Sequence, residues 1–383
     1  MMRPANPFSV GNTSRTGYAE AARMMGICNA CRYCEGYCAV FPAMEQRIDF
    51  VRHDLDYLAN LCHNCGACFH ACQYAPPHVF AVNVPRALAE VRLSSYEANA
   101  WPRPFAAAYR SHGLLVALLL AASLAGFLLL AVWLGGGELI RAHHGPGAFY
   151  AVFPHGLLVA VFGASFGAAL LALAVGARRF WSSIEGTRPA ADAPAAWPEA
   201  LQSAATLTHL DGGGDGCNER NDRPTHVRRW MHHLTMYGFL LCFASTCAAT
   251  LYHYGFGWQA PYGWTSLPVL LGTIGGIGLL VGPAGLLWLR AIRPAELADP
   301  RQGPMDTGLV VLLLLTSATG LLLLVLRATP AMPLVLIVHL AVVLALFLTL
   351  PYGKFVHGVY RAQALLKYAR ERRAPSPLAL RES

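Results

Sequence analysis

The chain has 383 residues, of which 55% are hydrophobic and only 13% charged, about half the charged fraction that coats a soluble domain. That shortfall excludes a water-soluble globular enzyme and a disordered chain, and it predicts a surface largely bathed in lipid. A formal charge of +8 would point to nucleic acid in a soluble protein. In a membrane protein the same basic residues mark the cytoplasmic side, and no nucleic-acid partner is expected.

The opening stretch, MMRPANPFSVGNTSRTGYAE, has no apolar core behind a basic start, so no signal peptide is expected and the segment is predicted to stay in the cytoplasm. Residues 1–112 are polar and contain short helix-like runs at Tyr18–Met25, Ala43–Leu61 and Val84–Glu97. Strand alternation is missing, so a small helical domain is predicted. From Gly113 the character changes. Six apolar runs, Gly113–Leu134, Tyr150–Gly176, His233–Tyr254, Leu267–Leu289, Gly308–Leu326 and Pro333–Leu350, are each about the length that crosses a bilayer. The expected architecture is all-α: an N-terminal ferredoxin-like helical domain (1–112), a six-span membrane domain (113–350) with a loop at 177–232, and a tail (351–383).

Basic residues orient the spans. Residues 1–112 hold ten Lys or Arg, the loop 177–232 seven, 290–307 three and 351–383 seven, whereas the three opposite loops hold only Arg141 and Arg327. The positive-inside rule then places both termini in the cytoplasm and the spans in the cytoplasmic (inner) membrane. The loop 177–232 contains a Pro- and Ala-rich stretch (Thr187–Pro198), a short predicted helix (Pro198–Leu207) and the run Asp211-Gly-Gly-Gly-Asp-Gly-Cys217. That run follows no strand and precedes no Lys-Ser/Thr, so it is not read as a phosphate loop. A linker turn and a docking element beneath the membrane domain are both open readings. Cys217 receives no ligand role, and Cys242 and Cys247 are read as small packing residues.

Eight of the eleven cysteines form two runs, Cys28-x2-Cys31-x2-Cys34-x3-Cys38 and Cys62-x2-Cys65-x2-Cys68-x3-Cys72. Two copies of one spacing point to a pair of 4Fe–4S clusters, because three closely spaced thiolates wrap one cubane and the fourth reaches the neighbouring one. Cluster one is assigned to Cys28, Cys31, Cys34 and Cys72, and cluster two to Cys62, Cys65, Cys68 and Cys38. Disulfides would need an oxidising compartment, and zinc rarely uses so compact a third cysteine. Ala39 and Gln73 stand where proline often follows the fourth cysteine, which favours a helical ferredoxin domain over a β-rich one.

Histidines in apolar helices need a reason. His339 and His357 are 18 residues apart, five whole turns at 100° per residue, so they are predicted to share one face about 27 Å apart along the axis. His232 and His253 are 21 apart, and His233 is further out of phase with His253. The topology puts His232 and His357 at the inner side and His253 and His339 at the outer side. One or two bis-histidine b-type haems are the expected chemistry, with His233 and His155 as alternate ligands. Gly238, Gly272, Gly275 and Gly276 could admit a close helix or a haem face.

The cysteine runs fused to six spans, with Arg228-Arg229-Trp230-Met231-His232-His233 leading the third, resemble the tricarballylate utilisation protein B (CitB-type) family over nearly the whole chain. The membrane part also resembles the cytochrome b subunit of respiratory nitrate reductase, which ligates two b haems from two helices. The first resemblance implies a partner FAD-dependent dehydrogenase that oxidises tricarballylate to cis-aconitate. The B protein of that family reoxidises the flavin and passes electrons to membrane quinone. No Rossmann fingerprint, nucleophile–base set or carboxylate pair is visible, so the chain is expected to be an electron-transfer component rather than an enzyme acting on the organic substrate. Alternatives are a subunit of a heterodisulfide- or fumarate-reductase-like complex, a membrane redox sensor and a transporter. The last would leave the cysteines without purpose.

Overall fold

The computed structural model describes residues 13–134, 139–185 and 194–374, so most of the Thr187–Pro198 stretch lies outside the described residues. The N-terminal part is helical: α1 (Thr13–Cys31), α2 (Val40–Glu45), α3 (Arg52–Leu61), α4 (Ala67–His70) and α5 (Val84–Asn99). The Ala43–Leu61 run is therefore two helices, α2 and α3, broken at residues 46–51. Asn83 caps α5 by accepting from the Arg86 backbone N–H, with Pro85 in the first turn, the expected chemistry of a helix start.

Among the described residues six helices are long and apolar enough to cross a membrane, and this is a membrane protein. They are α6 (Arg103–Leu134), α8 (His155–Ile184), α10 (Val227–Phe256), α11 (Leu267–Ile292), α12 (Gly303–Leu326) and α13 (Met332–Thr349). Side chains such as Leu115, Leu119, Phe127 and Leu130 on α6 are exposed, which is the surface lipid would cover. α6 kinks at His112 (φ −137°, ψ 30°), the last residue before the apolar run. The second run does not begin a span at Tyr150. A short α7 (Ala148–Val152) stops at an extended Phe153, because a residue before proline is pushed out of the helical region, and α8 starts after Pro154.

α10 and α11 approach backbone to backbone. A Cβ on Gly238 would lie 2.8 Å from the Leu279 nitrogen, and one on Gly275 2.8 Å from the Cys242 nitrogen. These glycines serve helix packing and not a haem face; Gly272 faces Ser245 and Gly276 faces Leu321. On the face that carries the cysteine domain, the loop forms α9 (Ala196–Thr206) and a two-stranded antiparallel pair, β1 (Cys217–Asn218) and β2 (Pro224–Thr225).

Residues 356–371 are not a trailing tail. They form α14 (Val356–Glu371), whose Tyr360 stacks on Phe180 of α8 (4.6 Å between centroids). Arg47 ties α14 to the N-terminal domain: it is 3% exposed, bonds Asp54 at 2.5 Å and Glu371 at 2.7 Å. Removing one partner of a buried charge cluster leaves the others unpaired. Arg47→Met should therefore destabilise the protein by about 3–5 kcal/mol, read as a lower thermal midpoint in detergent. An unchanged midpoint would show that the cluster contributes nothing net.

Candidate redox centres

The first cysteine run starts inside a helix. Cys28 and Cys31 sit on the last turns of α1, after which Arg32 takes a left-handed φ of 55° and residues 33–37 turn back through Cys34 toward Cys38. In the second run Cys62 follows the end of α3, and Cys68 lies within α4. Cys72 is followed by turns rather than by a helix. Between these, Asn64 (φ 56°) and Gly66 (φ 87°) are left-handed. Asn tolerates that region and Gly adopts it freely. Gly66 is also sterically required: a Cβ there would lie 2.7 Å from the Asn218 carbonyl oxygen.

Folding crosses the two runs. Cys28, Cys31, Cys34 and Cys72 line one cavity, with Tyr33, Phe41, Tyr74 and Cys68 also among its walls. Burial, then Cys34, Cys72 and Cys31, push the Cys28 thiol up to about 12. Burial, then Cys72 and Cys31, do the same to Cys34, again to about 12. In the other group, burial followed by Cys65 and Cys62 raises Cys38, and burial followed by Cys65, Cys62 and Cys38 raises Cys68. The fourth cysteine of each run thus sits with the first three of the other. Crowded buried thiols oppose one another's deprotonation, and a cationic cluster offsets that opposition. Among the described residues no three His, Cys, Asp or Glu side chains converge on a single-ion site. A cubane spreads its four thiolates over four irons and needs a wider set than zinc, whose sulfurs lie about 2.3 Å from one centre.

Arginines surround the second group. Arg361 donates to the carbonyls of Asn60 (3.2 Å) and Cys62 (2.8 Å). Arg293 donates to Asn64 Oδ1 at 3.1 Å, and Arg228 pairs with Glu219. Burial, then Arg92, pulls the Arg361 guanidinium down to about 10, and burial followed by Arg228 does the same to Arg293. The Asn64 backbone N–H donates to Cys62 Sγ at 3.3 Å.

Of the histidines, the structure brings together His232 on α10 and His357 on α14. Their ring centroids are 5.8 Å apart with planes at 75°. Two imidazoles on one haem iron, each with Fe–N of about 2 Å, have centroids about 6 Å apart, so the pair fits a bis-histidine site. His357 Nδ1–H donates to the Lys354 carbonyl at 2.5 Å, which leaves Nε2 with its lone pair for a metal. His232 Nδ1 is buried without a partner. Arg361 is one turn beyond His357 on α14, so the same helix end carries the histidine and the guanidinium that donates to the Cys62 carbonyl.

The outer pair does not form. His253 stacks on His155 at 3.9 Å with planes 18° apart, and Tyr150 OH lies 3.4 Å from its Nδ1. His339 Nδ1 is instead 3.0 Å from Thr319 Oγ1. Two causes are visible. The chain breaks between α13 and α14 at residues 350–355, so His339 and His357 are not on one helix and their phase relation fails. His253 is also about 5 Å from the end of α10 and His339 about 10 Å into α13, at different depths. His233 faces Tyr237 (5.7 Å) and not His357.

Sequence reasoning passed over Arg361, Arg293, His63 and Cys217. His63, beside Cys62, is half-buried and held well below its ordinary pKa by desolvation and then by Arg361 and His232. Arg361 had a usable signal, four residues after His357 on the same face. Cys217 had only its place at the end of the glycine run.

Six spans and a ferredoxin-like domain with two cysteine groups define a membrane protein of the iron–sulfur kind. Residues 21–98 match the Citrate utilization protein B Fer4-like domain, and residues 110–378 match Citrate utilization protein B. A Citrate utilization protein B of Escherichia coli is 57% identical over 358 residues, 93% of each chain. The chain belongs to the Citrate utilization protein B family. No solved structure matches it.

Proposed function

We propose that this chain is a membrane-bound electron-transfer protein in citrate or tricarballylate utilisation. It takes electrons from a cytoplasmic FAD-dependent dehydrogenase, such as one making cis-aconitate from tricarballylate, and delivers them to membrane quinone. The observation that carries this reading is that α14 holds both His357, which faces His232 at 5.8 Å, and Arg361, which donates to the Cys62 carbonyl of the second thiol group. When bound, two 4Fe–4S clusters and a b-type haem supply one-electron carriers in series. Cys28, Cys31, Cys34 and Cys72 would hold one cluster, Cys62, Cys65, Cys68 and Cys38 the other, and His232 and His357 the haem. The role of this chain's own residues is to hold, desolvate and charge-tune those groups, and no organic-substrate chemistry is assigned to it. The basic-residue distribution supports an orientation with the cysteine domain in the cytoplasm, where a soluble flavoprotein can reach Tyr33 and Cys31.

Anaerobically purified protein should contain about eight iron and eight sulfide per chain beyond haem iron. Dithionite-reduced membranes should show a b-type spectrum. In stopped flow, a reduced partner dehydrogenase should bleach the cluster absorbance before the haem reduces, and a quinone analogue should reoxidise the haem. Two zinc atoms without labile sulfide would end this reading.

A further inference from the structure

Ala89, Arg92 and Tyr96 follow one another at helical spacing on α5 and so share one face of it. Contacts on either side fix where that face points. The Ala89 carbonyl accepts from Gln302 Nε2, and Gln302 Oε1 accepts from Lys354 Nζ at 3.4 Å. The same ammonium lies 5.9 Å from the centre of the Tyr96 ring, which also meets Tyr360 of α14 at 5.7 Å between centroids. Lys354 is the residue whose carbonyl holds His357 Nδ1. A helix of the cysteine domain therefore turns a guanidinium and a phenol toward the end of the bundle that carries the His232–His357 pair.

Arg92 is 3% exposed and Tyr96 4%. Among the described residues, Arg92 Nε and Nη2 and Tyr96 OH are buried without a hydrogen-bond partner, a costly state for a charged donor. The surroundings sharpen the demand, because Arg92 is a like charge to both Arg361 and Lys354. Lys354 is answered by Asp306 at 3.0 Å, whereas Arg361 donates to the carbonyls of Asn60 and Cys62, which carry no full charge. Donors and positive charge are in excess, so the complement is an anion with several acceptor oxygens. A carboxylate matches the planar fork of a guanidinium. A b-type haem carries carboxylates of its own, its propionates. Resting on the haem reading above, we propose that Arg92 and Tyr96, with Arg361 beside them, form a buried carboxylate site that takes a propionate of the haem between His232 and His357. The cysteine domain then holds one edge of the membrane cofactor. A fixed positive charge and an O–H donor at that edge stabilise the more negative, reduced haem and raise its reduction potential. A guanidinium that only filled space would leave that potential unchanged.

The test uses the full-length protein in detergent, wild type against Arg92→Gln, Arg92→Lys and Tyr96→Phe. Each is assayed for haem, iron and sulfide, and titrated by optical spectra for the haem and by EPR for the clusters. Arg92→Gln and Tyr96→Phe should lower the haem potential and leave both clusters in place, and Arg92→Lys, which keeps the charge, should stay near wild type. An unshifted haem in Arg92→Gln overturns the proposal, and so does a shift confined to the second cluster, which would make the guanidinium that cluster's counter-charge. Should Arg92→Gln fail to retain haem, Tyr96→Phe decides, because it removes one O–H and no charge; an unshifted haem there overturns the proposal. Citrate added to the wild type separates a haem carboxylate from a free one. The haem potential should not respond, and a response that Arg92→Gln abolishes would give the site to a solute anion and overturn the assignment. A wild type without any b-type spectrum would instead overturn the haem reading beneath it.

Discussion

His357→Ala is expected to take the b-type spectrum from about one haem per chain to near none, with iron and sulfide unchanged. His357 and His232 face each other 5.8 Å apart, and the Lys354 carbonyl fixes the His357 ring so that only Nε2 is free. Alanine removes that ligand without touching α13. The ring lies at the junction of α14 with the spans, so the variant should keep its six-helix bundle and both clusters. His232→Ala should behave alike. His339→Ala and His253→Ala should leave the spectrum intact, because those rings are engaged by Thr319 and by His155. A spectrum that survives His357→Ala, or vanishes in His339→Ala, would move the haem to the distal end of the bundle.

The second large effect comes from crossing the ligands. Cys72→Ser should give the phenotype of Cys28→Ser, and Cys38→Ser that of Cys62→Ser, each halving the iron from about eight to about four. The reason is spatial. Cys72 lines the cavity of the first run, and the Cys38 thiol is raised by burial and then by Cys65 and Cys62. Membership by run instead of by crossing would pair Cys72 with Cys62 and Cys38 with Cys28, and EPR distinguishes the two patterns. Turnover with the dehydrogenase should fall to background in all four variants while the haem remains.

Much of the architecture was legible because lipid is an unforgiving solvent. A span is predominantly apolar, so six runs stand out, and each coincides with one membrane helix; Pro154 delays the start of α8, while α6, α8, α10 and α12 extend past their runs by several polar or basic residues. The thiol spacing was legible for a similar reason: the cubane dictates it. The histidines were not, because phase arithmetic assumes an unbroken helix, and Pro351 and Gly353 fall in the break between α13 and α14. The roles of α14 and Arg361 were hidden because each depends on a contact with a residue hundreds of positions away, which no local pattern records. A basic helix after the last span reads as a solvated tail until its Glu371 is seen against Arg47.

The placement of α14 has a consequence for how the protein is made. The cysteine domain is translated first, yet Glu371, which neutralises Arg47, lies 324 residues later, and Arg361, which grips the Cys62 carbonyl, lies 299 residues later. Contacts of such long separation close last. The nascent domain therefore waits through six membrane insertions before its final helix arrives from the ribosome. During that interval the Cys62 turn stands open on the side where Arg361 later donates to its carbonyl. The last helix thus acts as a closing bolt: the N-terminal domain is locked to the membrane part only once the sixth span has been made.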